Sequence, residues 1–238
     1  MSSTPLAGLS AVVTGASRGI GAAVAEALAS AGVRVAIVSR RRQALEELAS
    51  RLGGAVVVEA DLALRPAAER AGDEVIEGLG GPPDILVNNA GIFAIASLET
   101  MEPDDFSAMV DINLVGPFVL LRRMLPGMRE RGSGHIVTIG SIADRATFPG
   151  NAAYAATKFG ARAMHQVLRE ETRGSGIRTT LVSPAQTDTD IWDPIRFSDG
   201  SAPDRRGMLP ARAVADAVIF AVSRPAEVNI DELRLSRS

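Results

Sequence analysis

Tyr154 is the only tyrosine in the 238-residue chain and Lys158 the only lysine; the other 24 of its 25 lysine-plus-arginine residues are arginine. The two lie in Asn151-Ala152-Ala153-Tyr154-Ala155-Ala156-Thr157-Lys158-Phe159-Gly160, an alanine-rich run that favours helix. A spacing of four puts both side chains on one helix face. In a chain that otherwise uses arginine, a retained lysine points to a task guanidinium cannot perform. Ammonium is a compact charge able to deprotonate, whereas guanidinium is planar and stays charged. A cation one turn from a phenol stabilises phenolate, which suits a general acid/base. The alternative is a surface tyrosine beside a solvated lysine.

The elements that must carry this pair can be read from pattern. Hydrophobic residues make up 46% of the chain and charged ones 22%, which places it among globular proteins. Its length fits one large or two small domains and buries most apolar surface without staples. Zero cysteines exclude disulfides and thiolate metal sites, and His135 and His165 lie too far apart to suggest a ligand cluster, so no metal is expected. A net charge of −3 argues against a nucleic-acid partner. Residues 1–6 lack the charged and apolar regions of a secretory signal, and no apolar run reaches membrane-spanning length. The expectation is a soluble, cytoplasmic protein with no membrane partner.

Short apolar runs at 11–13, 33–38, 55–59, 84–87, 135–139 and 178–182 alternate with helical patterns at 20–31, 43–52, 66–79, 152–173 and 210–223, with two more helices inside 103–128. Leu233 and Leu235 suggest a last strand. Such alternation predicts βαβ units and a parallel sheet covered on both faces. No linker divides the chain, so 1–238 reads as one domain. The long irregular stretch 184–209 is expected to be a functional loop over the substrate.

After the first strand comes Thr14-Gly15-Ala16-Ser17-Arg18-Gly19-Ile20-Gly21 and then a helix. Glycines 15, 19 and 21 allow a tight turn and close approach of backbone to a pyrophosphate, and the helix N-terminus supplies free N–H groups. The spacing differs from the G-x-G-x-x-G of most dinucleotide enzymes. Together with Asn88-Asn89-Ala90-Gly91 after the fourth strand, and Tyr154-x-x-x-Lys158 preceded by Ser141, this loop resembles the short-chain dehydrogenase/reductase family over nearly the whole chain.

The resemblance implies a doubly wound Rossmann α/β domain with about seven parallel strands. It also implies a nicotinamide cofactor held by Gly15, Ser17, Arg18, Gly19, Ile20, Gly21, Asp61, Leu62, Asn88, Ala90, Gly91, Tyr154, Lys158, Pro184, Thr187 and Thr189. For Asn88 a purely structural role, tying strands together, stands equally open. At the end of the second strand, Val38-Ser39-Arg40-Arg41-Arg42 offers no carboxylate to repel a ribose 2′-phosphate. Ser39 can donate to that phosphate, and Arg40 and Arg18 can pair with it, which favours NADP (NADPH) over NAD. Arg41 and Arg42 read as a solvated start to the next helix.

By the same resemblance the catalytic set is Asn113, Ser141, Tyr154 and Lys158. Tyr154 exchanges a proton with the substrate oxygen, Ser141 stabilises developing charge, and Lys158 tunes the phenol and holds the nicotinamide ribose. Asn113, in Asp111-Ile112-Asn113-Leu114, feeds a water relay. In Ser183-Pro184-Ala185-Gln186-Thr187-Asp188-Thr189, Ala185 and Thr187 depart from the family's glycine and branched apolar residue, and a shifted turn is expected there. Phe93, Ile142, Phe148, Ala185 and Trp192 are candidate pocket walls, Trp192 being equally readable as packing. Arg145 reads as solvated, with an acidic substrate group as the alternative. The function implied is NADP(H)-dependent hydride transfer between an alcohol and a carbonyl compound, with ketone reduction favoured. An NAD-linked dehydrogenase and a non-catalytic dinucleotide-binding protein are the rivals. A homo-oligomer, a tetramer ahead of a dimer, is expected to form through Ala156, Gly160, Ala161 and Ala163.

Overall fold

A computed structural model describes residues 5–196 and 200–238; the stretch 1–4 and the part of the expected lid at 197–199 lie outside the described residues. The elements alternate as the hydrophobic pattern requires. They run β1 (Ser10–Thr14), α1 (Gly19–Ser30), β2 (Arg34–Ser39), α2 (Arg42–Arg51), β3 (Val56–Glu59), α3 (Arg65–Leu79) and β4 (Ile85–Asn88). Then follow α4 (Pro103–Val110), α5 (Gly116–Arg131), β5 (Gly134–Ile139), α6 (Ala152–Glu171) and β6 (Ile177–Pro184). The chain closes with β7 (Thr187–Asp188), β8 (Leu209–Pro210), α7 (Ala211–Val222) and β9 (Glu232–Leu235). Among the described residues no helix is long and apolar enough to cross a membrane.

Seven strands form one parallel sheet in the order β3-β2-β1-β4-β5-β6-β9. Strands with both faces covered need apolar side chains at every position. Accordingly Ala11 and Val13 of β1 enter the core beneath α1 and α7, while Val12 enters the core beneath α3 and α5. The chain moves outward from β1 to β3 and then returns to place β4 on the other side of β1. The strand order therefore reverses between β1 and β4, and a crevice opens at their carboxyl ends.

Two departures from pattern matter for the site. The helical run from Pro103 to Arg131 is broken at Asp111–Val115 by a wider π turn, in which Gly116 N–H reaches Asp111 O. The cause is Pro117: lacking an N–H, it cannot bond the carbonyl four residues back, that of Asn113. Secondly, 184–209 is not irregular throughout. β7 and β8 pair in parallel, Thr187 with Leu209 and Asp188 with Pro210, and close the base of the loop. Arg205 ties the loop further to Asp188 and Asp193. Ala185 has no strained backbone: among the described residues no non-glycine residue has positive φ, and Ala185 N–H continues the β6–β9 ladder to Leu235 O at 2.8 Å.

Candidate active site

The glycine loop crosses the switch point. Gly15 and Gly19 adopt φ of +65° and +57°, a region that other residues rarely enter. A side chain on Gly15 would also strike the Ala90 backbone, and one on Gly21 would strike Gly15 O and the Asn89 amide. Gly21 is therefore glycine for packing of loop on helix, and it does not line the cleft. Thr14 and Asn89 hold the loop. Thr14 Oγ1 accepts Asn89 N–H and Ala90 N–H at 3.0 Å each, and Asn89 Nδ2 donates to Thr14 O at 2.8 Å.

Asn88 faces away. It is buried at the end of β4, both its amide atoms lack partners, and it is absent from the cleft wall, where Asn89, Ala90 and Gly91 stand instead. Adjacent residues at a strand end point to opposite sides, so the pair Asn88-Asn89 leaves this choice to the pleat.

The cleft encloses about 910 Å³ and runs from the end of β2 to the loop after β6. At the β2 end Ser17, Arg18, Ser39, Arg40 and Arg41 line it, with Ile20 and Leu62 beside them. The arginines divide differently from expectation. Arg41 turns back over the glycine loop and donates to Ser17 Oγ at 3.3 Å, while Ser39 Oγ accepts Arg41 N–H at 3.1 Å. Arg40 lies 3.7 Å from Asp61, and Arg18 lies 3.5 Å from Asp190. Asp61 itself caps the turn at Ala63 N–H and stays off the cleft wall. Arg42 pairs with Glu46 on α2, the solvated helix start expected of it. Among the described residues no Asp or Glu lines the cleft.

At the far end, α6 presents Tyr154 to the cleft with Lys158 behind it. Lys158 is only 7% exposed, its Nζ donates to Ile139 O at 3.0 Å, and it sits 5.5 Å from the Tyr154 ring centroid. A solvated lysine is thereby excluded. Ser141 lines the cleft at the end of β5 and caps the short turn Ile142–Asp144, its Oγ accepting Ala143 N–H at 3.1 Å. Asn113 stands behind the wall. Its Oδ1 accepts Ile92 N–H at 2.8 Å, and its Nδ2 donates to Ile92 O at 3.0 Å and Thr157 Oγ1 at 3.1 Å. Both amide hydrogens are thus used to pin the loop after Gly91 against α6.

Phe93 forms a corner with edge-on contacts to Tyr154 (centroids 4.8 Å apart) and Trp192 (5.2 Å). Trp192 both lines the cleft and packs, its indole N–H bonding Thr187 O at 3.0 Å. Ile142, Phe148, Pro184, Ala185 and Thr187 also face the cleft. Thr189 does so too, and its methyl group would be met by any side chain placed on Gly19.

Arg145 is neither solvated nor available to substrate. Asp144, wholly buried, accepts from Arg145 Nε at 2.7 Å and from Ser183 Oγ, and lies 3.6 Å from Arg162. Arg145 and Arg162 both reach Glu232 on β9. Desolvation alone would lower the Arg145 pKa, but the hydrogen bonds it donates to Asp144 and Glu232, with their negative charges, hold it above its ordinary value. The Asp144 carboxylate packs across Gly140, where a side chain would overlap it. Nearby, His135 bonds Thr180 and His165 bonds Thr138 inside the core; burial pushes their pKa values down to about 3 and about 4.

A family model described as short chain dehydrogenase matches residues 10–199. The chain is 34% identical to an oxidoreductase of Staphylococcus epidermidis, over 94% of this chain and 95% of that one. It is 40% identical over 237 residues to a glycine betaine reductase of Emericella nidulans, of whose length it spans only 19%. Among solved structures it is similar to a metagenomic short-chain oxidoreductase in complex with NADP, at 30% identity and a TM-score of 0.84 with 99% of both chains covered. The closed form of a serine dehydrogenase complexed with NADP+ matches at 32% identity and a TM-score of 0.87, over 95% of this chain and 94% of that one. The strand order, the glycine loop at its reversal point and these likenesses lead to one conclusion: the chain belongs to the short chain dehydrogenase family of oxidoreductases.

Proposed function

We propose that this protein is an NADP(H)-dependent oxidoreductase that interconverts a carbonyl compound and its alcohol, working as a carbonyl reductase. The observation that carries the reading is Lys158, buried directly behind Tyr154 at one end of a cleft whose other end carries three arginines and, among the described residues, no lining carboxylate. The residues fit a phosphorylated dinucleotide. Gly15 and Gly19 leave room for a pyrophosphate, and Arg41, steered by Ser39 and resting on Ser17, joins Arg18 and Arg40 for a 2′-phosphate. NADPH, when bound, supplies the hydride.

The chain's own residues supply the proton and the field. Tyr154 donates its phenolic proton to the carbonyl oxygen, so that one hydride and one proton add across C=O to give the alcohol. Lys158 stabilises the phenolate left behind. Ser141 Oγ already accepts from Ala143 N–H, so its hydroxyl hydrogen is free to donate to the substrate oxygen. Asn113 serves the site through its backbone: Pro117 leaves its carbonyl without a helical donor, so that carbonyl can hold a water for reprotonation.

Ala156, Phe159, Ala163 and Val167 make an exposed apolar stripe on α6, and Phe118 is exposed on α5. We assign this face to a second copy of the chain. Ala161 and Gly160, expected there too, are used inside the protomer: Ala161 is buried and Gly160 packs on Leu114. A tetramer follows if a second face also pairs, and sedimentation measures this.

The deciding experiment is NADPH consumption across a panel of aldehydes and ketones, with NADH in parallel. The panel includes a quaternary-ammonium aldehyde, because a relative is named for glycine betaine. The aromatic corner suits such a cation, whereas Lys158 and the missing carboxylate oppose it. Tight NADPH binding with no turnover of any carbonyl would overturn the enzymatic reading; tighter binding of NADH would overturn the cofactor reading.

A further inference from the structure

Asn151 occupies the N-cap position of α6, three residues before Tyr154. Asparagine is favoured at such positions because its side chain accepts a backbone N–H of the first turn. Here it makes no capping bond. The residue is 8% exposed, lines the cleft, and has Oδ1 buried without a partner. No hydrogen bond to the amide is formed among the described residues. A buried amide left unpaired is destabilising, and of the two buried asparagines with unpaired amide atoms among the described residues, Asn88 and Asn151, only Asn151 lines the cleft.

The backbone that carries Asn151 is firmly set. Ala96 bridges to it, Ala96 N–H bonds Gly150 O at 3.0 Å, and Asn151 N–H bonds Phe148 O at 3.1 Å. Gly150, at φ +76°, lets Ile95 pack where a side chain would stand. The side chain thus starts from a fixed backbone position three residues before Tyr154, and its terminal torsion is soft enough to present either amide atom to the cleft. Phe93, Ile95, Phe148, Pro149, Ile191 and Trp192 give the cleft much apolar lining, interrupted by the polar Gln186 and Arg237.

We infer that Asn151 is a specificity-determining residue that hydrogen-bonds a neutral oxygen function on the substrate, close to the reacting carbonyl. The substrate class is then an apolar carbonyl compound with one polar handle, such as a β-keto ester or the corresponding β-hydroxy ester. A plain ketone would leave the amide unpaired and bind less well. The inference rests on the carbonyl-reducing reading above, and its test reads binding, so that the two fail separately.

Trp192 is the only tryptophan and lines the cleft, so its fluorescence reports occupancy. With NADP+ present, an aliphatic β-keto ester and the methyl ketone of equal chain length are titrated into the wild type and Asn151→Leu. The keto ester should bind at least about fivefold tighter than the ketone in the wild type, the range of one neutral hydrogen bond. That ratio should fall to near one in Asn151→Leu, while Asn151→Gln restores part of it. The same ratio in both proteins would overturn the assignment. So would a fall in Tm of several degrees in Asn151→Leu, which would give the amide to the fold. A β-keto carboxylate bound far more tightly than the ester would assign recognition to charge and overturn it too. Absence of turnover for every carbonyl would sink the enzymatic reading and leave the binding ratio to judge Asn151.

Discussion

The cleft and the ionic cluster beside it are built from the same residue types and serve opposite ends. Both sit at the carboxyl ends of the central strands. In the cleft, Arg18, Arg40 and Arg41 face open volume, and their nearest acids stand at long, half-exposed separations of 3.5 and 3.7 Å or are absent. Such pairs contribute little and yield readily to a phosphate. In the cluster, Arg145 and Arg162 are held between Asp144 and Glu232, and no charge remains to be offered. A buried pair of this kind is weak evidence for net stability, yet removing one partner is severe because the other charge is stranded. Whether an arginine binds ligand or binds the fold is therefore set by what already faces it.

The sharpest way to break this comparison is at the tyrosine. Tyr154→Phe should lower kcat by about a thousandfold, within the range of acid/base catalysis, with Tm and NADPH affinity almost unchanged. If Tyr154→Phe kept most of the activity, the cleft would not be the chemical site. On the cluster side, Asp144→Ala should strand Arg145 and Arg162 and destabilise by about 3–5 kcal/mol, a Tm fall of roughly 6–20 °C. Removing Arg145 as well should recover part of that loss; no recovery would mean that the network is not a balanced charge group.

The buried histidines extend the comparison to pH. Their folded pKa values, about 3 for His135 and about 4 for His165, lie below the unfolded value of 6.5. The unfolded chain therefore takes up protons first, and stability is lost as pH falls below about 6.5. Each histidine contributes about 1.4 kcal/mol per pH unit, so urea midpoints should drop steeply between pH about 6 and about 4. Replacing either with glutamine should roughly halve the slope. The smallest effect separates two adjacent arginines. Arg41→Ala should weaken NADPH about tenfold and leave NADH unaffected, and Arg40→Ala should do less. The reverse order, read by calorimetry, would return the phosphate to Arg40.

Much of this was legible because it is local. Alternation of apolar runs with 3.6-residue periods marks β1 to β6 and the helices between them, and glycines 15 and 19 stand where the backbone turns left-handed. Tyr154 and Lys158 are four apart on α6, and nothing distant is needed to bring them together. Other features had a signal that pattern reading passed over. Pro117, two residues past Asp111–Val115, marks the π turn, and the base of the 184–209 loop is closed by only two residues per strand, too short for periodicity to show.

The amino-acid sequence by itself determined the strand–helix order, the glycine turn and the Tyr154–Lys158 pair, since backbone geometry and side-chain spacing within a few residues are enough to impose them. Only the tertiary structure decided the partners of the charges and amides. It turned Arg41 rather than Arg40 onto Ser17, placed Asn89 rather than Asn88 on the cleft wall, and joined Arg145 to Glu232. It also left Asn151 Oδ1 buried without a partner, three residues before Tyr154. The physical reason is range. Hydrogen bonds and ion pairs act over a few ångströms between residues far apart in the chain, so their choice exists only once the sheet has brought those residues together.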